Sequence, residues 1–407
     1  MGYSSKGIET LNFSIPRSGR GGLSWRTAFC VLLLVWGVFS CGGRDRYARR
    51  SLEPFFPRGG TWFSTLSGEL IPGTNEAGER GIDLASLEVH DEWLSIASER
   101  RGLNVVHNRF RKIKLQSDPE LGGCLSDPLY DSGKIFAVFK KGYLVAFDLK
   151  NGSELWRYEV SSPIVSKPSV YQGRLFFSTP DDVTVALDAE TGKLLWNYRR
   201  KGSSGNSTAR VATPTLIQGT LWIGSTDGSV VGLQVENGDV VFERRLSKGG
   251  KFTDLDSTPL FIDGIVYVQT FDGSLFALKA SDRSVVWSIE DGGSRAITKS
   301  EESGGIFLYA SSNSGKVRKL NPKTGQVIWS FDLDGGTPTE AITWGQEVIV
   351  GSSHRYLYSL DSSTGSLKRR YDFGSGSGVL AKPETSTDKK RLFVMSSAGN
   401  LYDFKAL

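Results

Sequence analysis

Short apolar runs alternate with polar turns along most of the chain, from Leu84 to Leu407. A clear example spans Ala186 to Trp196 and reads ALDAETGKLLW. In it, apolar residues precede an Asp, which is followed by a Thr-Gly turn and by a run of alternating polar and apolar residues that ends in Trp. Gly supplies the positive φ that a tight turn needs, and Asp can hydrogen-bond the turn backbone. One copy of this pattern predicts a β-hairpin.

The pattern recurs at a nearly constant spacing. Successive copies end at residues 156, 196, 242, 287, 329 and 369, so neighbouring copies are 40 to 46 residues apart. The turn glycine is replaced by Arg283 in one copy. A second hairpin, such as GTLWIGSTDGSVVGL, lies between successive copies. A unit of about forty residues with four strands is typical of a β-propeller blade, and we expect its recurrent Trp to pack between blades.

The repeats predict an all-β, eight-bladed propeller of four-stranded antiparallel blades over residues 61–407. The eighth blade depends on a weak copy at residues 91–106. The last copy stops after its third strand, so we expect an N-terminal strand at residues 61–66 to complete that blade and cover its open edge. If the weak copy is not a blade, the alternative is seven blades, closed by residues 110–115.

The first forty residues have a different pattern. Three arginines precede an uncharged run from Thr27 to Phe39, which is too short to span a bilayer and has the length of a signal-peptide core. Val38-Phe-Ser-Cys41 then resembles a bacterial lipobox. We expect residues 1–40 to be a lipoprotein signal peptide, Cys41 to be lipidated, and residues 41–60 to form a flexible tether. An ordinary secretory signal and an uncleaved anchor are the alternatives.

Charge and cysteine usage narrow the function classes. The whole chain has a net charge of +5, and removal of the predicted signal, with four basic residues and one acid, leaves +2. Nucleic-acid binding requires a more basic surface, so it is not expected. Cys124 would be the remaining thiol, which excludes an intramolecular disulfide, and we interpret it as a small buried apolar residue.

No catalytic or metal-binding set is evident in the sequence. His90, His107 and His354 are far apart and have no metal-ligand spacing. The Gly-rich stretch at residues 374–378 does not connect a strand to a helix, so it is interpreted as a loop between blades and not as a phosphate-binding motif. We therefore expect no cofactor, no metal and no catalytic residues.

The turn pattern Ala-x-Asp-x-x-Thr-Gly-x-x-x-Trp, complete at residues 186–196, resembles the repeat of the pyrroloquinoline-quinone propeller superfamily. One branch of it contains quinoprotein dehydrogenases, which need a Ca²⁺ site and often carry a disulfide of adjacent cysteines that this chain lacks. Another branch is the lipoprotein family of the outer-membrane β-barrel assembly machine. The lipobox, the length, the expected blade number and the lack of a catalytic set make the chain similar to that family.

A local stretch adds to this resemblance. Phe252-Thr-Asp254-Leu-Asp256-Ser-Thr-Pro259 is similar to the family's Asp-x-Asp-Thr-Thr-Pro segment, with Ser257 in place of the first Thr. The resemblance implies that Asp254 and Asp256 contact the periplasmic domain of the barrel-inserting outer-membrane protein, where two carboxylates could receive Arg or Lys. Alternatively, they cap the turn before a strand. Arg210 lies near the place of a family contact arginine, and the group Arg199–Lys201 is an alternative.

These observations together predict a non-enzymatic scaffold that helps to insert β-barrel proteins. The resemblance implies a monomer within a complex, held by lipid at the periplasmic face of the outer membrane. Two alternatives remain: a propeller lipoprotein with another binding or envelope role, and a quinone-dependent dehydrogenase.

Overall fold

The structure, a computed structural model, is built almost entirely from β-strands. It describes residues 63–67, 86–108, 112–160, 166–201, 211–249, 253–290 and 294–405, all within the unit Asp45–Leu407. A single-turn 3₁₀ helix, Pro119–Leu121, is the one helical element among these residues. The predicted signal peptide (1–40), lipidation site (Cys41), tether (41–60) and contact residue Arg210 lie outside the described residues.

The described strands form eight antiparallel sheets of four strands, each sheet being one blade of a ring. Blade 1 comprises β2 Ser86–His90, β3 Trp93–Ser98, β4 Gly102–His107 and β5 Ile113–Gln116, and blade 2 comprises β6 Leu129–Asp131, β7 Lys134–Phe139, β8 Tyr143–Asp148 and β9 Glu154–Glu159. Blade 3 comprises β10 Ser169–Tyr171, β11 Arg174–Ser178, β12 Val183–Asp188 and β13 Leu194–Arg199, and blade 4 comprises β14 Thr215–Ile217, β15 Thr220–Gly224, β16 Ser229–Gln234 and β17 Val240–Arg245. Blade 5 comprises β18 Leu260–Ile262, β19 Ile265–Gln269, β20 Ser274–Lys279 and β21 Val285–Glu290, and blade 6 comprises β22 Ser294–Glu302, β23 Gly305–Ser312, β24 Lys316–Leu320 and β25 Val327–Asp332. Blade 7 comprises β26 Ile342–Trp344, β27 Glu347–Gly351, β28 Tyr356–Asp361 and β29 Leu367–Asp372, and blade 8 comprises β30 Glu384–Thr385, β31 Arg391–Met395 and β32 Leu401–Lys405 together with β1 Phe63–Ser67.

The prediction of an eight-bladed, all-β propeller is confirmed. The weak copy at 91–106 forms the middle strands of blade 1. The seven-blade alternative is wrong, because residues 113–116 pair with β4 as the fourth strand of blade 1 instead of closing the ring. β1 is the fourth strand of blade 8 and pairs antiparallel with β32, with Phe63 opposite Lys405; it overlaps the predicted closing strand, 61–66.

The repeated turn has the same structure in successive blades. In blade 3, Asp188 accepts hydrogen bonds from the backbone and hydroxyl of Thr191 at 2.8 and 2.7 Å. Gly192 has a φ of +70° and donates its N–H to the carbonyl of Asp188. Such a conformation strains any residue with a side chain. The turn therefore fixes where the fourth strand begins.

In blades 2, 3, 5 and 6 the recurrent Trp connects the fourth strand to the turn of the next blade. Trp196 of blade 3 donates its indole N–H to the Val235 carbonyl of blade 4 at 2.9 Å, and its ring covers Gly238. The expected packing of Trp between blades is thus observed. The other indole donors of this kind pair with carbonyls as follows: Trp156 with Ala189, Trp287 with Pro322, and Trp329 with Ser362.

The hydrophobic core lies between neighbouring blades. Phe176 and Ala186 of blade 3, for example, pack with Leu221 and Val231 of blade 4, and all four are at most 1 % exposed. The second and third strands of each blade carry most of these side chains because both of their faces are covered. First strands of blades 1 and 2, 8 and 1, 5 and 6, and 6 and 7 contact each other, which places the first strands innermost.

The order of the strands decides which loops share an end of the ring. Because the strands are antiparallel, the turns between second and third strands lie at the same end as the connections between blades. We call this end the loop face. The Asp–Gly turns that precede the fourth strands lie at the opposite end, which we call the turn face.

Candidate functional site

The segment Thr253–Pro259, here called the wedge loop, connects blade 4 to blade 5 on the loop face. Its backbone fits between two turns. Leu255 donates its N–H to the Ser225 carbonyl of blade 4 at 3.0 Å, and the Asp254 carbonyl accepts the N–H of Phe271 in blade 5 at 2.8 Å. The loop therefore joins the two blades and has a fixed position relative to both.

Two other connections bind their neighbouring turns in the same way. The Gly123 carbonyl accepts the N–H of Lys140 while Cys124 donates to Ser98, and Gly378 and Val379 make the equivalent pair of bonds with Ser397 and Ser352. Asp254 therefore occupies the place that glycine occupies in these connections. Its backbone role is structural, whatever its carboxylate does.

From Leu255 to Pro259, residues of the wedge loop alternate between buried and more exposed positions. Asp254 and Leu255 are each 2 % exposed, whereas Asp256 is half-buried and Thr258 is exposed. The Ser257 hydroxyl donates to the Gln269 carbonyl and accepts the N–H of Gln269, at 3.0 and 2.7 Å. The structure therefore places the two predicted contact acids differently: Asp256 is partly exposed, and Asp254 is buried.

Within the basic group Arg199–Lys201, Arg199 and Lys201 are exposed, whereas the side chain of Arg200 is largely covered. Arg200 is 9 % exposed, and its guanidinium lies 2.8 Å from the Asp227 carboxylate and 2.5 Å from that of Glu243. Arg199 lies 3.1 Å from Asp181. Both arginines are therefore engaged in ion pairs within blades 3 and 4.

His90 and His107 lie in blade 1 on either side of Trp93, and His354 lies in blade 7. His90 is buried and stacks on Tyr130 with ring centroids 4.3 Å apart, and burial lowers its pKa to about 4. His107 lies 3.5 Å from Glu92, and His354 is exposed. The described part of the chain contains no group of three or more His, Cys, Asp or Glu residues arranged to hold a metal ion.

Sequence reasoning missed a group of charged side chains around the inner end of the loop face. Glu88 of blade 1 reaches across blade 2, where it accepts the Tyr130 N–H at 2.9 Å and lies 3.1 Å from Lys167 of blade 3. Lys382 and Glu384 of blade 8 form a pair at 3.0 Å. A signal was present, because a residue before proline begins several blades: Asp127, Lys167, Thr213, Thr258 and Lys382.

Glu340 of blade 7 belongs to the same group. Burial raises the pKa of its carboxyl above the ordinary value, although the Lys382 ammonium acts in the opposite direction. The Asp127 carboxylate, from blade 2, raises the pKa of Glu340 further. Charges from blades on different sides of the ring therefore influence one another across its centre.

Large exposed apolar side chains are confined to the outermost strands. In the described ranges they are between 38 and 49 % exposed, and each lies on the fourth strand of its blade. They are Ile113, Leu155, Leu194, Leu195, Val240, Val241, Val285, Val286, Val327, Ile328 and Leu367. Across residues 63–405, wherever the structure is described, no helix has the length and apolar character needed to cross a membrane.

Eight four-stranded blades joined by a repeated Trp-to-turn contact define a propeller of the pyrroloquinoline-quinone-like class. The chain belongs to the family described as outer membrane protein assembly factor BamB, whose model matches residues 97–303, 251–343 and 313–407. No curated protein matches the chain.

Several solved structures share this fold. BamB from Moraxella catarrhalis has a TM-score of 0.68 and 21 % identity, with 81 % of this chain and 99 % of that chain covered. The designed Ika8 protein has a TM-score of 0.66 at 15 % identity, covering 81 and 98 %. Quinohemoprotein alcohol dehydrogenase from Comamonas testosteroni has a TM-score of 0.66 at 13 % identity, covering 80 and 74 %. At these identities the likeness establishes the fold alone.

Proposed function

We propose that this protein is a non-enzymatic scaffold lipoprotein that assists the insertion of β-barrel proteins into the outer membrane. The observation that carries the proposal is the match to the BamB family, which extends from residue 97 to residue 407. A propeller suits this role, because a rigid ring loses little conformational entropy when it binds a partner. The proposed partner is the periplasmic domain of the barrel-inserting protein.

In this proposal the wedge loop is the docking segment, and Asp256 makes the direct contact. Asp256 is half-buried, and the preceding residues Asp254 and Leu255 are hydrogen-bonded to the two adjoining blades. A carboxylate in such a place can accept a charge-assisted hydrogen bond from Arg or Lys without a large ordering cost. We assign Asp254 the supporting role, holding the loop through its backbone, and we propose Arg210 as a further partner contact.

We also propose that Cys41 carries the lipid and anchors the protein at the periplasmic face of the outer membrane. The lipobox-like sequence before Cys41 supports this step. Replacement Cys41→Ser should abolish incorporation of labelled fatty acid and move the protein from the membrane fraction to the soluble fraction. Incorporation that persists in the variant would contradict lipidation at this residue.

Docking is tested by purifying the full-length protein gently from its own cells and identifying the proteins that accompany it. Asp256→Arg should reduce recovery of the barrel-inserting protein at least tenfold, because like charges would face each other at the contact. Glu236→Arg, a matched control with an exposed acid on the turn face, should leave recovery unchanged. If the wild-type protein recovers no barrel-inserting protein, the scaffold proposal is wrong, and the family match accounts for the fold but not for the function.

The likeness to quinohemoprotein dehydrogenases makes a second outcome worth measuring. Pyrroloquinoline quinone and Ca²⁺ would be added to the purified protein, and the absorbance spectrum recorded before and after. Under our proposal the spectrum is the sum of the separate components. A saturable spectral change at stoichiometric quinone would favour the enzyme reading instead.

A further inference from the structure

The turn that supports the wedge loop from the blade 4 side is itself held by blade 3. This turn comprises residues 225–228 and connects β15 to β16. The Ser225 carbonyl accepts the Leu255 N–H, and the Thr226 carbonyl accepts the Thr253 hydroxyl at 3.0 Å. The position of the wedge loop therefore depends on the position of this turn.

Arg200 is the main side chain that fixes the turn. Its guanidinium donates to the Ser225 hydroxyl at 3.0 Å, to Asp227 at 2.8 Å and to the Ser229 hydroxyl at 3.3 Å. It also bonds Glu243 on the outer strand of blade 4 at 2.5 Å. A planar guanidinium can engage several acceptors at fixed angles, which a lysine ammonium cannot reproduce.

Asp182 holds the same turn from a second direction. Its two carboxylate oxygens accept the N–H and the hydroxyl of Thr226, at 3.0 and 2.7 Å. The Asp182 carbonyl in turn accepts the N–H of Arg200 at 3.1 Å, so the two supports are linked within blade 3.

The packing leaves little freedom for the turn to move alone. A Cβ atom added to Gly224 would lie 2.1 Å from the Leu255 carbonyl oxygen, and one added to Gly228 would lie 2.5 Å from the carbonyl oxygen of Thr253. The backbones of the turn and the wedge loop are therefore in direct contact. A displacement of the turn has to be transmitted to the loop.

From this chain of contacts we infer that Arg200, supported by Asp182, is the positioning residue of the docking site. The inference rests on the proposed function, because it assigns Arg200 the task of holding Asp256 where a basic partner group meets it. Sequence reasoning considered Arg199–Lys201 as direct contacts. The buried guanidinium, with its acceptors inside blades 3 and 4, instead acts on the partner through the turn and the loop.

The experiment compares Arg200→Met with Arg200→Lys and a matched control in the full-length protein in detergent. The control is Arg369→Met, which breaks a half-buried ion pair with Glu347 in blade 7, away from the wedge loop. Two quantities are measured: hydrogen exchange at the amides of Leu255 and Phe271, and the dissociation constant for the purified periplasmic domain of the barrel-inserting protein.

Arg200→Met should accelerate exchange at both amides at least tenfold relative to amides of blade 7, and weaken binding at least tenfold. Arg200→Lys should give intermediate values, because one ammonium replaces part of the guanidinium contacts. Arg369→Met should change neither quantity. A purely structural effect would raise exchange in all blades together, and that pattern would overturn the inference.

Two further results would also overturn it. In the first, Arg200→Met leaves hydrogen exchange at Leu255 unchanged. In the second, Arg200→Met accelerates exchange but leaves binding unchanged, although Asp256→Arg weakens binding. The exchange measurement needs no partner, so it decides whether Arg200 positions the loop even if wild type fails to bind, which would refute the proposed function. If Arg200→Met does not fold, Arg200→Lys and Thr226→Val provide the same comparison.

Discussion

At the scale of single residues, the contact between a Trp and the glycine of the next blade explains why both recur. At the junction between blades 4 and 5 the pair is absent, and two other residues replace it together. Phe242 stands in the Trp position of blade 4, and Arg283 in the glycine position of blade 5, with its guanidinium 4.1 Å from the Phe242 ring. Arg283 keeps the left-handed φ of +63°. A cation–π contact thus takes over the role of the larger indole.

The Trp-to-glycine contact can be tested with two glycines that differ in surroundings. Gly192 and Gly173 have φ values of +70° and +74°, but an added Cβ would lie 2.6 Å from the Trp156 ring at Gly192 and meet nothing within 4 Å at Gly173. Gly173→Ala should lower the free energy of unfolding by about 1 kcal/mol through backbone strain alone. Gly192→Ala should cost about 1–3 kcal/mol more, through overpacking.

Urea unfolding followed by tryptophan fluorescence would measure both variants. Equal losses for the two substitutions would mean that the ring contact contributes nothing beyond the turn geometry.

The two acids of the wedge loop mark the limit of prediction for single residues. Sequence pattern placed Asp254 and Asp256 on one loop before a strand, and the structure agrees. The pattern could not reveal that Asp254 is covered, because its burial depends on turns from two blades that are distant in sequence. The role of Arg200 was hidden for the same reason: its acceptors are 25 to 43 residues away.

At the scale of strands and hairpins, the strength of the sequence signal follows the turn chemistry. Blades 2 and 3 were easily predicted, because an Asp, a Gly and a Trp occur together in their last hairpins. Blade 1 gave a weak signal because it has Leu115 where blades 2, 3, 5 and 6 have Trp, and this side chain lies against Gly152 of blade 2. Its smaller side chain fills the same place without the indole hydrogen bond.

The closing strand offers a test at this scale. A chain that begins at residue 68 lacks β1, so the edge of β32 would be open along its length. Compared with a chain that begins at residue 61, it should lose about 2–5 kcal/mol of unfolding free energy, a large part of a typical domain's stability. It should also aggregate, which sedimentation would detect.

Equal stability and solubility of the two chains would contradict a closing role for β1. Removal of residues 41–60 alone serves as the control and should have no effect on unfolding.

At the scale of the whole molecule, the inner charges were the least predictable feature. Asp127, Lys167 and Lys382 each precede a proline at the start of a blade, and that repeat is visible in the sequence. Their mutual approach is not, because it follows from ring closure, which brings blades 7 and 8 next to blades 1 and 2. Predictions made for each hairpin separately contain no information about where these charged side chains come together.

The inner charges lead to a pH-dependent prediction. The pKa of Glu340 is raised by burial, so the folded state holds its proton more tightly than the unfolded state. Stability therefore falls as the pH rises from the ordinary pKa of 4.5 through the higher pKa of the folded state, because the buried carboxylate then has to ionise. Glu340→Gln should raise the free energy of unfolding at pH 7 by up to about 1 kcal/mol and leave it nearly unchanged at pH 4.

Chemical unfolding at both pH values would measure this change. The control is Glu236→Gln, at an exposed acid, which should leave the free energy of unfolding unchanged at both pH values. A variant Glu340→Gln that is less stable than wild type at pH 7 would show that attraction to the lysines outweighs burial.

The pairing of Phe63 with Lys405 has a consequence for how the protein is made. These partners are 342 residues apart in the chain, so the first described strand has no place to pair until the last one has been synthesised. Seven blades can form one after another from contacts between neighbours. The ring becomes a single cooperative unit only at completion, which makes closure a check that all eight blades have been synthesised.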